Sequence, residues 1–290
     1  MNDTFYPMEQ SVLTRVKEIS DWAFGKIQSL IFDCAGINMS DAKKNLVVGR
    51  LSQRLRVLEL KDFDSYYRYL TSPASQGSGE MQCFIDLLTT NETYFFREQP
   101  HFDFLQNTVL PAYMNGAKRG RKLSIWSAAS SSGEEGYSLG MLLAEKLGMQ
   151  GNWSVYGSDI SSEMLNKARE AVYNLHRIRL VPQPLCKKYL RKGVGKMDGK
   201  AAVRSALKKH VTFGAFNLIE GPLDNTQYDV IFCRNVLIYF DTKTKEKVIS
   251  RLVQRLAPGG YLITGHTESI HDLRHDLNTV TPSIHQKQFT

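Results

Sequence analysis

Hydrophobic positions in the first third of the chain recur at three- and four-residue spacing. Phe24, Ile27, Leu30 and Ile31 share one side of a predicted helix. Val47, Leu51, Leu55 and Leu58 share one side of a second, with Ser40 placed to cap it, and Phe63, Tyr66, Tyr67 and Leu70 belong to a third. The Ser- and Gly-rich stretch from Pro73 to Glu80 interrupts the period, and Met81 to Leu88 resumes it. After Pro100 a helical run over Phe102 to Tyr113 leads to a basic loop at Lys118 to Lys122. There the pattern changes. Short apolar runs at Leu123–Trp126, Ser154–Ser158, Val211–Ala215, Tyr228–Cys233 and Gly260–Thr264 predict strands. Amphipathic runs at Tyr137–Leu147, Ser162–Ala171 and Thr242–Leu256 predict helices between most of them. Such alternation predicts a parallel, doubly wound α/β sheet. Pro258-Gly259-Gly260 reads as a helix stop and a turn before the last strand.

One region breaks the alternation. Residues 171–210 are basic and interrupted by Pro182, Pro184, Gly193, Gly195 and Gly199. The Gly-x-Gly-x-x-x-Gly loop lies between runs able to pair as short strands, so a small antiparallel element is expected at about 176–210, with a disordered crossover as the alternative. The expected organisation is an N-terminal arm at 1–20, a helical domain at 21–90 and an α/β domain at 91–290 carrying that insertion.

Composition narrows the class. With 42% hydrophobic and 10% aromatic residues the 290-residue chain is globular rather than disordered. No apolar run is long enough to cross a bilayer, and Met1 to Gln10 has no signal-peptide pattern. Cys34, Cys83, Cys186 and Cys233 are far apart, which fits a reducing cytoplasm and disfavours a zinc cluster or disulfide framework. The formal charge of +8 favours an acidic partner, which charge alone cannot identify, and is also compatible with a mere solubility feature.

The candidate chemistry centres on Ser127 to Tyr137, SAASSSGEEGY, between the first strand and its helix. Small residues let a ligand approach the backbone, and this first loop is the usual ligand position in an open α/β sheet; an ordinary Ser-rich turn is the plain alternative. Asp159 ends the second strand, placed to accept from two ribose hydroxyls, or else to cap the next helix. Asn217 and Leu218 follow the next strand, where an amide or carbonyl can meet an adenine edge; Arg234, Asn235 and Tyr239 follow the one after. Neither G-x-G-x-x-G nor a P-loop occurs, and the adjacent acids Glu134 and Glu135 would repel phosphate. They suit a cationic, phosphate-free ligand such as S-adenosylmethionine, although acids at a helix start also complement its dipole. Before the sheet, TTNETYFFRE gathers polar and aromatic residues around Arg97, which could equally form a buried salt bridge. No G-x-S-x-G or H-E-x-x-H occurs, so hydrolase and metalloenzyme readings rank low.

Taken together, TTNETYFFRE, SIWSAASSSGEEGYS, YGSDIS, FNLIEG, IFCRNVLIYFD and LAPGGYLITGHTES resemble the CheR family of chemotaxis-receptor methyltransferases, in order and spacing, from about Phe24 to Ser269. The resemblance implies a helical domain followed by a Rossmann-like methyltransferase domain with an inserted antiparallel subdomain. It implies methyl transfer from S-adenosylmethionine to glutamate carboxylates on the cytoplasmic helices of methyl-accepting chemotaxis receptors, with S-adenosylhomocysteine as product. Carried over by motif, the donor-binding positions are Asn91, Thr93, Arg97, Glu134, Asp159, Asn217, Leu218, Arg234 and Asn235, with Arg97 and Tyr239 nearest the transferred methyl. Ser130 and Gly136 depart from the family's usual SAACSTGEEPYS. The glycine loop of Gly193, Gly195 and Gly199 is similar to that of members that dock on a receptor C-terminal pentapeptide, and Lys43, Arg50, Arg54 and Arg56 would steer the enzyme to acidic receptor helices. The tail after Ser269 matches poorly.

A glutamate carboxylate, with a reference pKa near ~4.3, is already ionised at neutral pH, so methyl transfer to it requires no general base. Positioning and water exclusion then carry the catalysis, and good orientation supplies roughly 7–11 kcal/mol. Arg97 would hold a carboxylate and Tyr239 would donate to one. A methyltransferase acting on nucleic-acid bases is expected to show an Asp/Asn-Pro-Pro-aromatic tetrapeptide where this chain has Arg234-Asn235-Val236-Leu237. Other readings are a methyltransferase of another acidic protein or of a small molecule, and a non-catalytic donor-binding module. A cytoplasmic monomer without nucleic-acid partners, membrane insertion or metal is expected.

Overall fold

The computed structural model describes residues 18–115, 120–222 and 224–289. Most of the expected arm at 1–20 lies outside them, as do Lys118 and Arg119 of the basic loop. The chain forms two compact units. One holds residues 18–30 and Met39–Met81; the other holds Ile31–Asn38 and the chain from Gln82 onward.

The first unit contains the start of α1 (Asp21–Ala35), all of α2 (Lys44–Val57) and α3 (Phe63–Leu70), and the first two residues of α4 (Glu80–Leu88). The sequence periodicity becomes its buried face: Phe24, Ile27, Val47, Leu51, Leu55, Phe63, Tyr66 and Leu70 are inside. Asp62 caps α3 by accepting from Ser65 N–H at 2.8 Å. Ser40, expected to cap α2, stands instead before a 3₁₀ turn, Asp41–Lys43, and makes no capping bond through its side chain. Arg54 also departs from expectation. Its guanidinium faces inward onto the buried carboxylate of Glu80, which accepts from Tyr66 Oη at 2.9 Å as well. A carboxylate removed from water needs such partners, so Arg54 is committed to the interior of the unit rather than presented to a receptor. Lys43 and Arg56 are exposed, and Arg50 is half-buried.

In the second unit α5 (Gln99–Phe104), a π-helical turn (Leu105–Val109) and α6 (Leu110–Asn115) lead to β1 (Leu123–Ala128), α7 (Glu134–Leu147), β2 (Trp153–Asp159) and α8 (Ser162–Glu170). The inserted segment follows as β3 (Val172–Asn174), α9 (Gln183–Tyr189), β4 (Leu190–Lys192) and β5 (Lys200–Val203). Then come α10 (Ser205–Lys208), β6 (Val211–Ala215), β7 (Tyr228–Cys233), α11 (Thr242–Gln254), β8 (Leu256–Thr264), β9 (Leu277–Thr281) and β10 (Ile284–Lys287). Among the described residues seven strands form one sheet in the order β6-β2-β1-β7-β8-β10-β9, parallel from β6 to β8 and antiparallel at β10 and β9. The insertion is a separate antiparallel sheet, β3-β5-β4.

Alternate strand residues feed two cores, as a sheet covered on both faces requires. Ile125, Val155, Val230 and Phe232 join Leu139 and Leu143 of α7. Trp126, Ile231, Cys233 and Leu262 join Val248, Ile249 and Leu252 of α11. One expectation is corrected at the end of the chain. Pro258-Gly259 does not separate helix from strand: α11 stops at Gln254 and β8 already runs from Leu256, with Tyr228 opposite Leu256 but Val230 opposite Tyr261. Pro258 and Gly259 are thus absorbed in a bulge of the strand, where a missing N–H is tolerated. The tail after Ser269 supplies the last two strands.

Candidate active site

The strand order reverses direction of growth between β1 and β7, and a cavity lies beyond the carboxyl ends of β1, β2, β6 and β7, the expected crevice of such a sheet. Its empty volume is about 950 Å³ counting the solvent at its mouth. Ala129 follows β1, Asp159 ends β2, Phe216 to Leu218 follow β6, and Arg234 to Val236 follow β7. Thr89 to Tyr94 and Arg97 line another wall, Tyr239 and Phe240 a further one, and Ala35 and Ile37 complete it.

The loop after β1 is held in a tight shape. Ala129 and Ser131 have φ near 61° and 50°, and Gly133, the residue before α7, has φ 93°. A Cβ at Gly133 would lie 2.9 Å from that of Ala168, so the position needs glycine for conformation and space alike. The tight loop carries Ser131 N–H to Asp159 Oδ2 at 2.8 Å, while Ser161 N–H meets Oδ1 at 2.9 Å. The Ile160 N–H is a third backbone group acting on this carboxylate. Burial pushes the Asp159 carboxyl above its usual range, partly offset by these N–H groups, with Asp86 adding to the rise. The cap alternative is answered as well: α8 is capped by Ser161, whose side chain accepts from Met164 N–H.

Arg234 is the electrostatic centre of the site. Its side chain is 2% exposed and lies between two carboxylates, Glu135 Oε2 at 2.7 Å and Glu98 Oε2 at 3.0 Å. Its Nη2 also donates to the Arg97 carbonyl at 2.5 Å. Burial pushes the Glu98 carboxyl up, but the charge of Arg234 and hydrogen bonds from Arg234, Asn235 and His266 outweigh it and hold it below its usual range. Asn235 has φ 58°, donates from Nδ2 to Glu98 Oε1 at 3.2 Å, and gives its N–H to Glu268 Oε2 at 2.6 Å. Glu98, His101 and His266 place a carboxylate and two imidazoles within 4.8 Å of one another, but Arg234 already supplies the cation there.

The predicted residues are brought together unevenly. Asn91, Thr93, Arg97, Asp159, Asn217, Leu218, Arg234, Asn235 and Tyr239 all line the cavity. Arg97 reaches its mouth, donating to the Glu92 carbonyl at 2.8 Å with its guanidinium 5.5 Å from the Tyr94 ring centre. The Asn217 side chain serves the scaffold, donating to the Cys34 carbonyl at 2.8 Å and accepting from Ile219 N–H at 3.0 Å. Glu134 departs from expectation: it does not line the cavity, is fully buried, and is held by Arg177 and by Ser132 Oγ. Its neighbour Glu135 lines the cavity, accepting from Ser127 Oγ at 2.7 Å as well as from Arg234. Reasoning from sequence missed Glu98 and Glu268, although both stand inside quoted motifs, and Arg177, which no motif contains.

The lining fits a cationic, phosphate-free ligand. Glu92, Glu135 and Asp159 oppose Arg97 and Arg234, and Arg234 is already paired on two sides. Comparison with known proteins agrees. The family model described as CheR methyltransferase, SAM binding domain, matches residues 91–285, and that of the CheR methyltransferase, all-alpha domain, matches residues 23–89. The chain is 41% identical over 268 residues to the chemotaxis protein methyltransferase of Salmonella typhimurium, covering 90% of this chain and 88% of that one. It is 41% identical over 276 residues to the Escherichia coli protein of the same name, covering 91% of each. With chemotaxis protein methyltransferase 2 of Pseudomonas aeruginosa it shares 38% over 264 residues, 90% of this chain and 91% of the other.

Proposed function

The chain belongs to the CheR methyltransferase family, S-adenosylmethionine-dependent enzymes of chemotaxis, and from that premise we propose that its acceptors are glutamate side chains on the cytoplasmic helices of chemotaxis receptors. When bound, S-adenosylmethionine supplies an electrophilic methyl carbon on a sulfonium and leaves as S-adenosylhomocysteine. The chain's own residues bind, orient and exclude water. Asp159 accepts from the ribose hydroxyls beside the N–H groups of Ser131, Ile160 and Ser161. Leu218, with Asn217 fixing its loop, meets the base edge, and Asn91, Thr93, Arg234 and Asn235 complete the donor wall. Glu134 acts one step back, anchoring the turn into α7 through Arg177. Arg97, with its guanidinium at the mouth, holds the acceptor carboxylate in line, and Tyr239 donates a hydrogen bond to it. An ionised carboxylate needs no base, and no imidazole lines the cavity among the described residues.

The observation that supports this reading best is the gathering of Arg97, Asp159, Arg234 and Tyr239 around one cavity at the strand ends. The test is incubation with methyl-labelled donor and receptor-bearing membranes. Base-labile label on a receptor is the expected outcome, and label that survives alkali sinks the carboxyl ester. Near-normal turnover by Arg97→Ala would sink the assignment of Arg97.

The pentapeptide partner rests on the insertion. Both β3 and β4 are edge strands, and Val194 and Met197 beside the glycine loop are exposed, so an extended peptide can add to the sheet with an apolar contact. Receptor helices in the cytoplasm place the enzyme there too; no helix among the described residues is long and apolar enough to cross a membrane.

A further inference from the structure

Arg97 lies between two residues in the left-handed region, Phe96 with φ 56° and Glu98 with φ 59°. Side chains with a Cβ rarely adopt this conformation, and two such residues flanking one position persist only where the surroundings hold them. The holding groups are specific. Phe96 N–H donates to Ser138 Oγ at 3.0 Å, and Arg234 Nη2 reaches the Arg97 carbonyl at 2.5 Å. The Glu98 carboxylate takes the same Nη2 at 3.0 Å, Asn235 Nδ2 at 3.2 Å and His266 N–H at 3.1 Å. Glu98 itself does not line the cavity. It joins the segment bearing Arg97 to the loops after β7 and β8.

We propose that Glu98 is a positioning residue for methyl transfer: its carboxylate holds the twisted segment 96–98 against Arg234 and the 266 backbone, and so aims the Arg97 guanidinium at the acceptor carboxylate. This rests on the assignment of Arg97 to the acceptor. Glu98 touches neither donor nor acceptor, so its loss acts on orientation. A displacement of about 1 Å remote from the chemistry can lower a rate by roughly 10²-fold.

The full-length enzyme carrying Glu98→Gln is compared with wild type and Arg97→Ala in receptor methylation, with S-adenosylhomocysteine binding measured by calorimetry on each. Glu98→Gln keeps the shape of the side chain and removes its charge. The expected result is a fall in kcat of about 10–100-fold, with KM for receptor and the Kd for S-adenosylhomocysteine each changed by less than about threefold. Retained binding also reports a folded protein. A Kd that weakens in step with kcat, or is lost, overturns the proposal, because Glu98 would then serve the donor wall or the fold. Wild-type kcat in Glu98→Gln beside an inactive Arg97→Ala overturns the proposal alone. Near-normal kcat in Arg97→Ala overturns the assignment beneath it and the proposal with it. Glu98→Gly relieves the backbone conformation without restoring the carboxylate, and recovery of kcat in that variant would overturn a role for the charge.

Discussion

Arg177 closes on Glu134: the guanidinium of a residue inside the inserted segment meets the fully buried carboxylate in the first turn of α7, with Nε donating to Oε1 at 2.8 Å. The same guanidinium donates to the Thr93 carbonyl at 3.0 Å. One side chain thus ties the insertion, the loop after β1 and a segment of the cavity wall.

Replacing Arg177 by Met leaves a buried carboxylate with Ser132 as its remaining hydroxyl partner. Breaking a buried pair from one side costs about 3–5 kcal/mol; because Arg177 is partly exposed, about 3 kcal/mol is expected in chemical denaturation. Adding Glu134→Gln removes the stranded charge and should restore part of that loss. Equal stability of the single and double variants would show that the charge at Glu134 is not what Arg177 satisfies.

Much of this site was legible before the structure because its residues stand at strand ends. Asp159, Arg234 and Asn235 are fixed by where an apolar run stops, and β6 and β7 begin and end where the pattern predicts. What was hidden depends on distant partners. Which of Glu134 and Glu135 faces the cavity follows from the turn at Gly133 and from a guanidinium 43 residues away. Glu98 and Glu268 carry no signal of their own in the sequence; Arg234 and the N–H groups of residues 235 and 265 close on them only in the fold. Ala35 and Ile37 carry no chemical signal, yet they line the cavity. The strands β9 and β10 were obscured because LNTVT and IHQK, on an antiparallel edge, mix polar groups into a weak alternation.

Asp159 should link donor binding to protons. In the proposed arrangement the ribose hydroxyls donate to the ionised carboxylate, whose pKa burial has raised. Affinity for S-adenosylhomocysteine is therefore greatest above that pKa, and falls on acidification sooner than an ordinary carboxylate would allow. Calorimetry in buffers of different ionisation enthalpy should show proton release near the onset of the fall. Asp159→Asn should weaken binding by about 10–100-fold, the equivalent of a charged hydrogen bond or two. Unchanged affinity in that variant would remove Asp159 from the donor wall.

Two buried histidines set an acid limit to stability. Burial, and then the charge of Arg234 with a smaller part from His266, lowers His101 to about 3 against the opposing pull of Glu98; burial and His275 lower His285 to about 4. Both stay neutral when folded but bind a proton below about 6.5 when unfolded. Their contribution is therefore complete above about 6.5 and is lost as pH falls toward 4 and 3. At pH 5 each costs about 2 kcal/mol relative to pH 7. Urea denaturation at the two pH values measures the difference, and His285→Gln should remove about half of the slope assigned to the pair. An unaltered slope would mean that His285 is protonated in the fold.

The glycine loop of the insertion can be tested apart from catalysis. A Cβ at Gly193 would lie 1.9 Å from the Met197 carbonyl oxygen, so alanine there must push the loop open. Gly193→Ala should abolish heat on titration with receptor-tail pentapeptides while leaving methylation of a tailless receptor fragment within about twofold. Loss of both activities together would mean that the loop supports the main sheet instead, and an absence of heat with the wild-type enzyme would remove the peptide from its partners.

The basic residues of the first unit divide into two kinds, and substitution should separate them. Arg54 is bonded to buried Glu80, so Arg54→Ala strands a carboxylate in the interior. Its expected effect is a loss of about 3 kcal/mol in stability, with receptor methylation by the folded fraction little changed. Lys43 and Arg56 are exposed, and in the proposed steering role they act through the field they present to an acidic partner. Charge reversal of both should leave stability within about 0.5 kcal/mol and lower kcat/KM for receptor about tenfold at low ionic strength. The deficit should shrink as salt is raised toward 0.5 M, where the Debye length falls to about 4 Å and wild type loses the same advantage. A deficit independent of salt would point to direct contact rather than steering. No deficit at any salt would make Lys43 and Arg56 solvated surface residues with no part in docking.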